Sequence, residues 1–161
     1  NLSNPPNIIG IDPSDHMIQA AKKKCAHQKI SFINKSALDI EFNSSAMIIC
    51  NYTLQFIPVR QRVELLKKFY KSLKDKNGVL FLSEKVHTSD SEFFETMTST
   101  YEDFKINNGY SQNEIERKKE ALDQVLVPLE LGEYKSKLKQ AGFKKVEILL
   151  KWNQFITFIA R

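Results

Sequence analysis

An aspartate, Asp12, follows a short apolar segment at residues 7–11 and could bind the hydroxyl groups of a ribose. In nucleotide-binding α/β proteins, an acid at the carboxyl end of a strand does this, about 20 residues after a glycine-rich loop. No such loop precedes Asp12, because the chain opens with Asn1 and its five glycines all stand alone. Asp12 is therefore either an ordinary helix-initiating acid or half of a binding site whose other half is missing from this sequence. The motif alone favours neither alternative.

Two loops after later apolar segments carry polar residues at the same kind of position. Ser36 and Ala37 follow residues 30–34 and could border an adenine ring, although the ordinary polarity of loops is the better explanation. Asn51 follows residues 46–50, so its side chain and a free carbonyl could face the same crevice. An asparagine that merely ends a strand explains this position equally well.

Glu84 and Lys85 follow a further apolar segment, at residues 79–83. Adjacent opposite charges usually form a pair that is solvated and contributes little. At the carboxyl end of a strand they could instead line a substrate pocket. The sequence leaves both interpretations open.

Composition restricts the classes of protein and ligand. A chain of 161 residues with 42% hydrophobic and 27% charged residues is typical of one soluble globular domain, with no apolar run long enough to cross a membrane. Cys25 and Cys50 are not spaced for metal binding with any of the three histidines. We expect both cysteines to be reduced thiols, which favours a cytoplasmic location. The net charge of +5 is best explained by solvated helix faces, with a surface for RNA or for an anionic metabolite as the alternative. Because the sequence has no aromatic-plus-basic RNA-binding motif, we do not expect direct nucleic-acid binding. Because the cysteines and histidines lack metal-ligand spacing, we do not expect a metal either.

The order of the predicted elements indicates an α/β fold with a mostly parallel sheet. Strands are predicted at residues 7–11, 30–34, 46–50, 79–83, 146–150 and 155–160, and helices from Ser14 and at residues 60–73 and 131–141. The continuous apolar segment 46–50 is predicted to be covered on both faces. The last two strands can pair as an antiparallel hairpin, which is the feature that S-adenosylmethionine-dependent methyltransferases add to a Rossmann-like sheet. We predict a single such domain over residues 1–161.

A helical insertion is predicted at about residues 88–128, as two or three helices around Asn107, Asn108 and Gly109. Insertions of this size often form a lid over a ligand or a dimer contact. Its apolar residues could equally form a homodimer face or pack on the sheet of their own chain: Phe93, Phe94, Met97, Tyr101 and Phe104.

Four segments together resemble the carboxy-S-adenosyl-L-methionine synthases, a methyltransferase-like bacterial family of tRNA wobble-uridine modification. These segments are residues 51–56 (NYTLQF), 82–85 (LSEK), 103–111 (DFKINNGYS) and 114–115 (EI). The resemblance covers nearly the whole chain. The last two segments lie in the insertion, which other methyltransferases do not share, so they are the more specific part.

The resemblance implies an enzyme that binds S-adenosyl-L-methionine and prephenate. Prephenate loses its ring carboxylate and becomes phenylpyruvate, and the released carbon dioxide is captured on the methyl carbon, giving carboxy-S-adenosyl-L-methionine. A separate enzyme then transfers the carboxymethyl group to tRNA, so this protein need not contact RNA. Catalysis would rest on positioning and on fixed charges.

The resemblance also implies roles for individual residues. Asp12 with Pro13 would hold the ribose, Ser36 with Ala37 would border the adenine, and Asn51 would contact the cofactor beneath its sulfonium. The family usually has aspartate where Ser36 stands, so one adenine contact is altered.

A second departure concerns the extra carboxylate of the product. The arginine that grips it in the family falls at Lys119, which keeps the charge but lacks the bidentate fork. Arg117 is the alternative, although two positions away on a helix it points elsewhere.

The resemblance further implies that a first, central strand and the glycine-containing loop after it are missing from the sequence. Neighbouring strands would then lack a pairing partner, so we expect a truncated record of a longer protein or a chain of poor stability. Two other hypotheses remain open. One is a conventional methyltransferase, and the other is a non-catalytic binding or dimerisation fragment that kept the fold.

Overall fold

The computed structural model describes residues 6–26 and 29–161, and the chain forms two compact units, Asn1–Glu41 and Phe42–Arg161. His27, one of the histidines considered for a metal site, lies outside the described residues. Among the described residues, no helix is long and apolar enough to cross a membrane. The prediction of a single domain over the whole chain stays a prediction.

The first unit contains two parallel strands joined by a helix. Strand β1 (Ile8–Asp12) pairs in register with β2 (Ile30–Asn34), and helix α1 (Asp15–Lys24) lies between them in sequence. Ser14 caps α1 by accepting a hydrogen bond from Met17 N, and Asp15 lies in the first turn, where the helix dipole favours negative charge. The predicted helix start at Ser14 and the strand at residues 30–34 are both confirmed.

The second unit is built on a mixed sheet. Its elements are β3 (Met47–Asn51), α2 (Val59–Lys74), β4 (Val79–His87), α3 (Ser91–Asn107), α4 (Gln112–Leu122), β5 (Leu129–Glu130), α5 (Leu131–Ala141), β6 (Val146–Trp152) and β7 (Phe155–Ala160). The strand order is β3-β4-β7-β6, and β5 pairs with the end of β4. Strand β3 runs parallel to β4, whereas β7 is antiparallel to both β4 and β6. The predicted α/β class and the closing antiparallel hairpin are confirmed.

The core of this second unit lies around β4 and helices α2 and α5. Residues Leu82–Glu84 of β4 are all buried and His87 alone is exposed in this strand, so both of its faces are largely covered. The helices contribute apolar side chains at helical spacing. The most deeply buried of these residues are Leu65, Leu66, Leu73, Leu80, Leu82, Tyr134 and Leu138.

The prediction that residues 46–50 are covered on both faces is wrong. Met47 is 53% exposed and Ile49 is 62% exposed, whereas Cys50 is buried. The physical reason is that, among the described residues, β3 pairs only with β4, and packing reaches it mainly from the side that Cys50 faces. Continuous apolarity identified the strand but not its environment.

The insertion folds as two helices, α3 and α4, joined by a turn at Asn108 and Gly109. Gly109 adopts a φ of 91°, a left-handed conformation that costs glycine little. Ser111 then caps α4 in a capping box with Glu114, whose carboxylate accepts a hydrogen bond from Ser111 N at 2.8 Å. Residues 108–111 therefore connect α3 to α4, and they include the N-cap residue at which α4 begins.

Candidate functional site

Asp12 ends β1, as the sequence predicts, and it is half-buried. Its Oδ1 accepts a hydrogen bond from Ser14 N at 2.8 Å, and its main-chain carbonyl accepts one from Asn34 Nδ2 at 3.0 Å. The first bond supports the helix-initiating role. A carboxylate has about four acceptor positions, so one bond to Ser14 still permits contacts with a diol.

Ser36 lies two residues beyond Asn34, which is the register partner of Asp12. Because β1 and β2 are parallel, the structure brings Asp12 and Ser36 to the same edge of their two-stranded sheet. The Ser36 hydroxyl accepts a hydrogen bond from Leu38 N at 3.2 Å and so caps the short 3-10 helix Ala37–Asp39. This capping bond fits the ordinary loop role, and Pro13 is exposed beside Asp12.

Asn51 lies at the carboxyl end of β3, opposite Ser83 in the middle of β4. Its side chain is exposed, but its carbonyl accepts a hydrogen bond from Thr53 Oγ1 at 3.0 Å. The expectation of a free carbonyl is therefore wrong, because the hydroxyl two residues later turns back onto it. The side-chain amide is the group that remains for a ligand.

The residues after Asn51 form a loop, residues 51–56, that is held in an unusual conformation. Tyr52 has a φ of 50°, which is strained for a bulky residue. Tyr52 N donates to Ser83 O at 2.7 Å, and the loop then turns into the short 3-10 helix Leu54–Phe56. We call residues 51–56 the Asn51 loop.

Glu84 fixes this loop from beneath. Its two carboxylate oxygens accept hydrogen bonds from Leu54 N at 2.8 Å and from Gln55 N at 2.9 Å. The Glu84 side chain is 0% exposed, so the interpretation of Glu84 and Lys85 as a solvated pair is wrong. Successive side chains of a strand point to opposite faces, which separates these two residues.

Arg62 of α2 holds the other side of the Asn51 loop. It is fully buried and donates to the carbonyls of Ile57 at 2.7 Å, Gln55 at 3.0 Å and Val127 at 2.8 Å. Burial lowers the pKa of the Arg62 guanidinium, while the charge of Glu84 raises it. No sequence pattern singles out Arg62, because a single arginine in a helix usually lies on the solvated face.

Burial raises the pKa of Glu84 to about 7, although the Leu54 and Gln55 N–H groups and the charge of Arg62 act in the opposite direction. A signal for this acid was present in the sequence. Glu84 is in phase with Leu80, Leu82 and Val86 on β4, so strand alternation alone places it inward.

Lys119 lies on α4 and forms an ion pair with Glu102 of α3. Arg117 is two positions away on the same helix and borders a shallow cavity with Ser111 and Glu120. The two cations therefore face different surroundings, as helical geometry requires. Among the described residues, no group of three or more His, Cys, Asp or Glu side chains could hold a metal ion.

Known proteins that resemble this chain agree on one family. A family model described as a methyltransferase domain matches residues 2–76. A carboxy-S-adenosyl-L-methionine synthase from Trichodesmium erythraeum is 45% identical over 99% of this chain and 64% of its own length. The synthase of the same name from Sulfurimonas denitrificans is 40% identical over 99% of this chain and 68% of its own length.

The chain belongs to the carboxy-S-adenosyl-L-methionine synthase family. It spans 64% of one of these synthases and 68% of the other. The suspected family resemblance is therefore confirmed. The predicted roles of Asp12, Pro13, Ser36, Ala37 and Asn51 stay predictions, as do those of Lys119 and Arg117.

Solved structures support the same fold for this member of the synthase family. Human N-acetylserotonin methyltransferase, solved in complex with SAM, superposes with a TM-score of 0.63 at 14% identity, over 96% of this chain and 40% of that chain. At this level of identity the likeness shows the fold alone. It confirms the methyltransferase-like architecture that the closing hairpin predicted.

Proposed function

We propose that this protein acts as a carboxy-S-adenosyl-L-methionine synthase, which uses S-adenosyl-L-methionine and prephenate to form carboxy-S-adenosyl-L-methionine and phenylpyruvate. The observation that carries the proposal is a family relationship at 40–45% identity over 99% of this chain. The polar residues that end β1 and β3 support it, since α/β sheets bind ligands at the carboxyl ends of their strands.

The residues of the first unit suit an adenosine group. The Asp12 carboxylate would accept hydrogen bonds from the ribose hydroxyls, with Pro13 beside it, and Ser36 and Ala37 would border the adenine. For the second unit, Asn51 is proposed to contact the cofactor near its sulfonium through its side-chain amide. Glu84 supports this role indirectly, because its bonds to Leu54 N and Gln55 N hold the Asn51 loop.

S-Adenosyl-L-methionine would supply a methyl carbon that exchanges one proton for carbon dioxide, while the hydroxyl of prephenate leaves with that proton as water. The protein would hold both molecules in contact and stabilise the carboxylates by fixed positive charge. Lys119 is proposed to contact the new carboxylate, with Arg117 as the alternative. Without the bidentate fork of arginine, Lys119 would give a weaker and less directional contact.

The remaining proposals concern the cellular location of the protein, the enzyme that uses its product and its oligomeric state. The product would pass to a second enzyme that modifies the wobble uridine of tRNA, so neither direct nucleic-acid binding nor a metal is proposed for this chain. A cytoplasmic homodimer is proposed, with the outer side of α3 as its face. Phe93 is 62% exposed there and Phe94 is 38% exposed, which leaves apolar surface for a second copy.

Mass spectrometry of the reaction tests the proposed activity. The chain, incubated with S-adenosyl-L-methionine and prephenate, is expected to give a product heavier than the cofactor by one carboxyl group, together with phenylpyruvate. Asp12→Ala should weaken cofactor binding by about tenfold or more, because it removes a charged acceptor. Asp15→Ala, an exposed neighbouring acid in α1, is the matched control and should leave binding unchanged.

Three results would contradict parts of this proposal. Demethylated cofactor that forms only with an added methyl acceptor would indicate a conventional methyltransferase instead. Calorimetry that detects no cofactor binding, even with a first strand and glycine-containing loop added before Asn1, would favour a non-catalytic fragment. Equal cofactor affinities for the Asp12→Ala variant and the unmodified chain would refute the ribose role of Asp12 without excluding the activity.

A further inference from the structure

One face of the sheet in the second unit places a lysine beside aromatic rings. Lys85 of β4 lies directly opposite Phe155 of β7, and Phe155 lies opposite Trp152 of β6. Residues that face each other across paired strands project to the same side. The stacked rings of Trp152 and Phe155, with centroids 5.9 Å apart, confirm this for the hairpin. Lys85 therefore projects to the face opposite to that of Glu84.

Helix α3 brings further rings to this face. The ring of Tyr101 lies 4.9 Å from that of Phe155 and 5.9 Å from that of Trp152, measured between centroids. Tyr52 of the Asn51 loop contacts the same Phe155 ring at 5.7 Å. The aromatic surface thus extends from the end of β3 to the end of the hairpin.

Two more lysines lie on or near the helix that carries Tyr101. Lys105 Nζ lies 4.7 Å from the centroid of the Tyr101 ring, which is a cation–π contact. Lys119 pairs with Glu102, which lies next to Tyr101 on α3. We call Lys85, Lys105, Lys119 and Glu102, together with the four rings Tyr52, Tyr101, Trp152 and Phe155, the lysine–aromatic cluster.

The electrostatics of the cluster are unbalanced. Burial lowers the pKa of Lys85, and the positive charges of Lys105 and Lys119 lower it further, whereas Glu102 raises it. The pKa of Lys105 is likewise lowered by burial and by Lys119. Lys85, Lys105 and Lys119 share one acid, Glu102, and the charge of Lys118 also acts on Lys105, so the cluster carries an excess of positive charge. Holding them together costs free energy, which an anion placed between them would offset.

We propose that the lysine–aromatic cluster binds a small dianion with an unsaturated ring, in which Lys85 and Lys105 contact carboxylates and the aromatic residues contact the ring. The identification of this dianion as prephenate rests on the proposed function. The excess of positive charge suits a ligand with two carboxylates, and flat apolar rings suit an unsaturated ring. The position of Lys119 in the same cluster gives a physical reason why the new carboxylate would form beside it.

Calorimetry with prephenate as the probe, at neutral pH and low salt, tests this assignment. Lys85→Met and Lys105→Met should each weaken binding by about tenfold or more, because a hydrogen bond to a charged group is lost. Methionine keeps the apolar stem that packs on the rings, and a thermal melt of each variant shows whether it folds. The control is Lys71→Met, an exposed lysine in the last turn of α2, which should leave affinity unchanged.

A variant that is expected to raise the affinity for prephenate distinguishes the effect of charge from the effect of structural damage. Glu102→Gln removes the acid that Lys119 pairs with, so prephenate should bind several-fold more tightly and with a steeper dependence on salt. A decrease in affinity for Glu102→Gln would overturn the proposal. Equal prephenate affinity in Lys85→Met, Lys105→Met and the unmodified chain would also overturn it, as would no binding by the unmodified chain.

These outcomes are distinguishable from failure of the proposed function. Lysine-dependent prephenate binding without any carboxylated product would support the cluster and refute the synthase activity of this chain. Carboxylated product formed equally well by Lys85→Met and Lys105→Met would refute the cluster and leave the synthase activity standing.

Discussion

Replacing Glu84 with glutamine should change how the stability of this protein depends on pH. Burial raises the pKa of Glu84 from its ordinary value of 4.5 to about 7 in the folded chain. Between these two pH values the folded chain holds a proton at Glu84 that the unfolded chain has lost. The stabilisation is therefore fully present below pH of about 4.5 and is lost as the pH rises through about 7.

The magnitude follows from the size of the shift. A difference of about 2.5 pKa units corresponds to about 3 kcal/mol of unfolding free energy, lost as the pH rises across that interval. Glutamine cannot ionise, so the variant lacks this loss. It also offers one acceptor oxygen where Glu84 offers two, which leaves either Leu54 N or Gln55 N without its bond, at a cost of about 1–3 kcal/mol. The variant should thus be clearly less stable at pH 5 and should approach or exceed the unmodified chain at pH 8.

Urea unfolding at half-unit steps from pH 4.5 to 8 measures this difference. The control is Glu95→Gln, because Glu95 lies exposed on α3 and its replacement should leave the pH profile nearly parallel to that of the unmodified chain. If the unfolding free energies of the Glu84→Gln variant and the unmodified chain run parallel with pH, the predicted role of Glu84 is wrong.

Two further predictions concern packing and thiol chemistry. Gly142→Ala should destabilise the protein by about 1–3 kcal/mol in urea unfolding, because Gly142 has a φ of 116° and a Cβ there would lie 2.6 Å from the Tyr70 ring. Gly132→Ala, where a Cβ meets nothing within 4 Å, is the control and should be nearly neutral or stabilising. Burial raises the pKa of Cys50 to about 12, so Cys25 should react first with a thiol reagent and Cys50 only on unfolding. Equal reaction rates of the two thiols in the folded protein would contradict this.

Local patterns predicted the elements of the fold well where a single interaction dominates. The strand at residues 155–160 and the helix at residues 131–141 have the predicted bounds, because alternation and an apolar stripe with a terminal glycine act within each segment. Gly142 follows the last residue of α5 and adopts the left-handed conformation, which is typical of a glycine that ends a helix.

The end of α2 shows where the same rule fails. A glycine such as Gly78, soon after an apolar helical stripe, usually indicates the end of the helix, but here Asn77 adopts the left-handed conformation, with a φ of 49°. Gly78 is needed for a different reason, since a Cβ there would lie 2.8 Å from the carbonyls of Ser45 and Ala46. A close approach between distant segments leaves no local signal, so the sequence revealed the glycine without its cause.

The candidate site was only partly predictable for a related reason. Strand ends can be located from local patterns, which placed Asp12, Ser36 and Asn51 correctly at the carboxyl ends of their strands or just beyond them. Glu84 supports the Asn51 loop through contacts with residues about 30 positions away. Arg62 joins Gln55 of the loop to Val127, which lies 65 positions from Arg62. Such contacts follow from the tertiary fold and not from any one segment.

The end of β4 combines two tasks that would conflict if they shared one side of the sheet. A carboxylate beside the proposed prephenate would repel it, yet the Asn51 loop needs an acceptor for Leu54 N and Gln55 N. Strand alternation resolves this conflict, because it turns Glu84 into the core and Lys85 to the face that carries Phe155 and Trp152. Neighbouring residues of opposite charge can therefore serve the loop and the anion separately, and a shift of register by one residue would exchange them and abolish both roles.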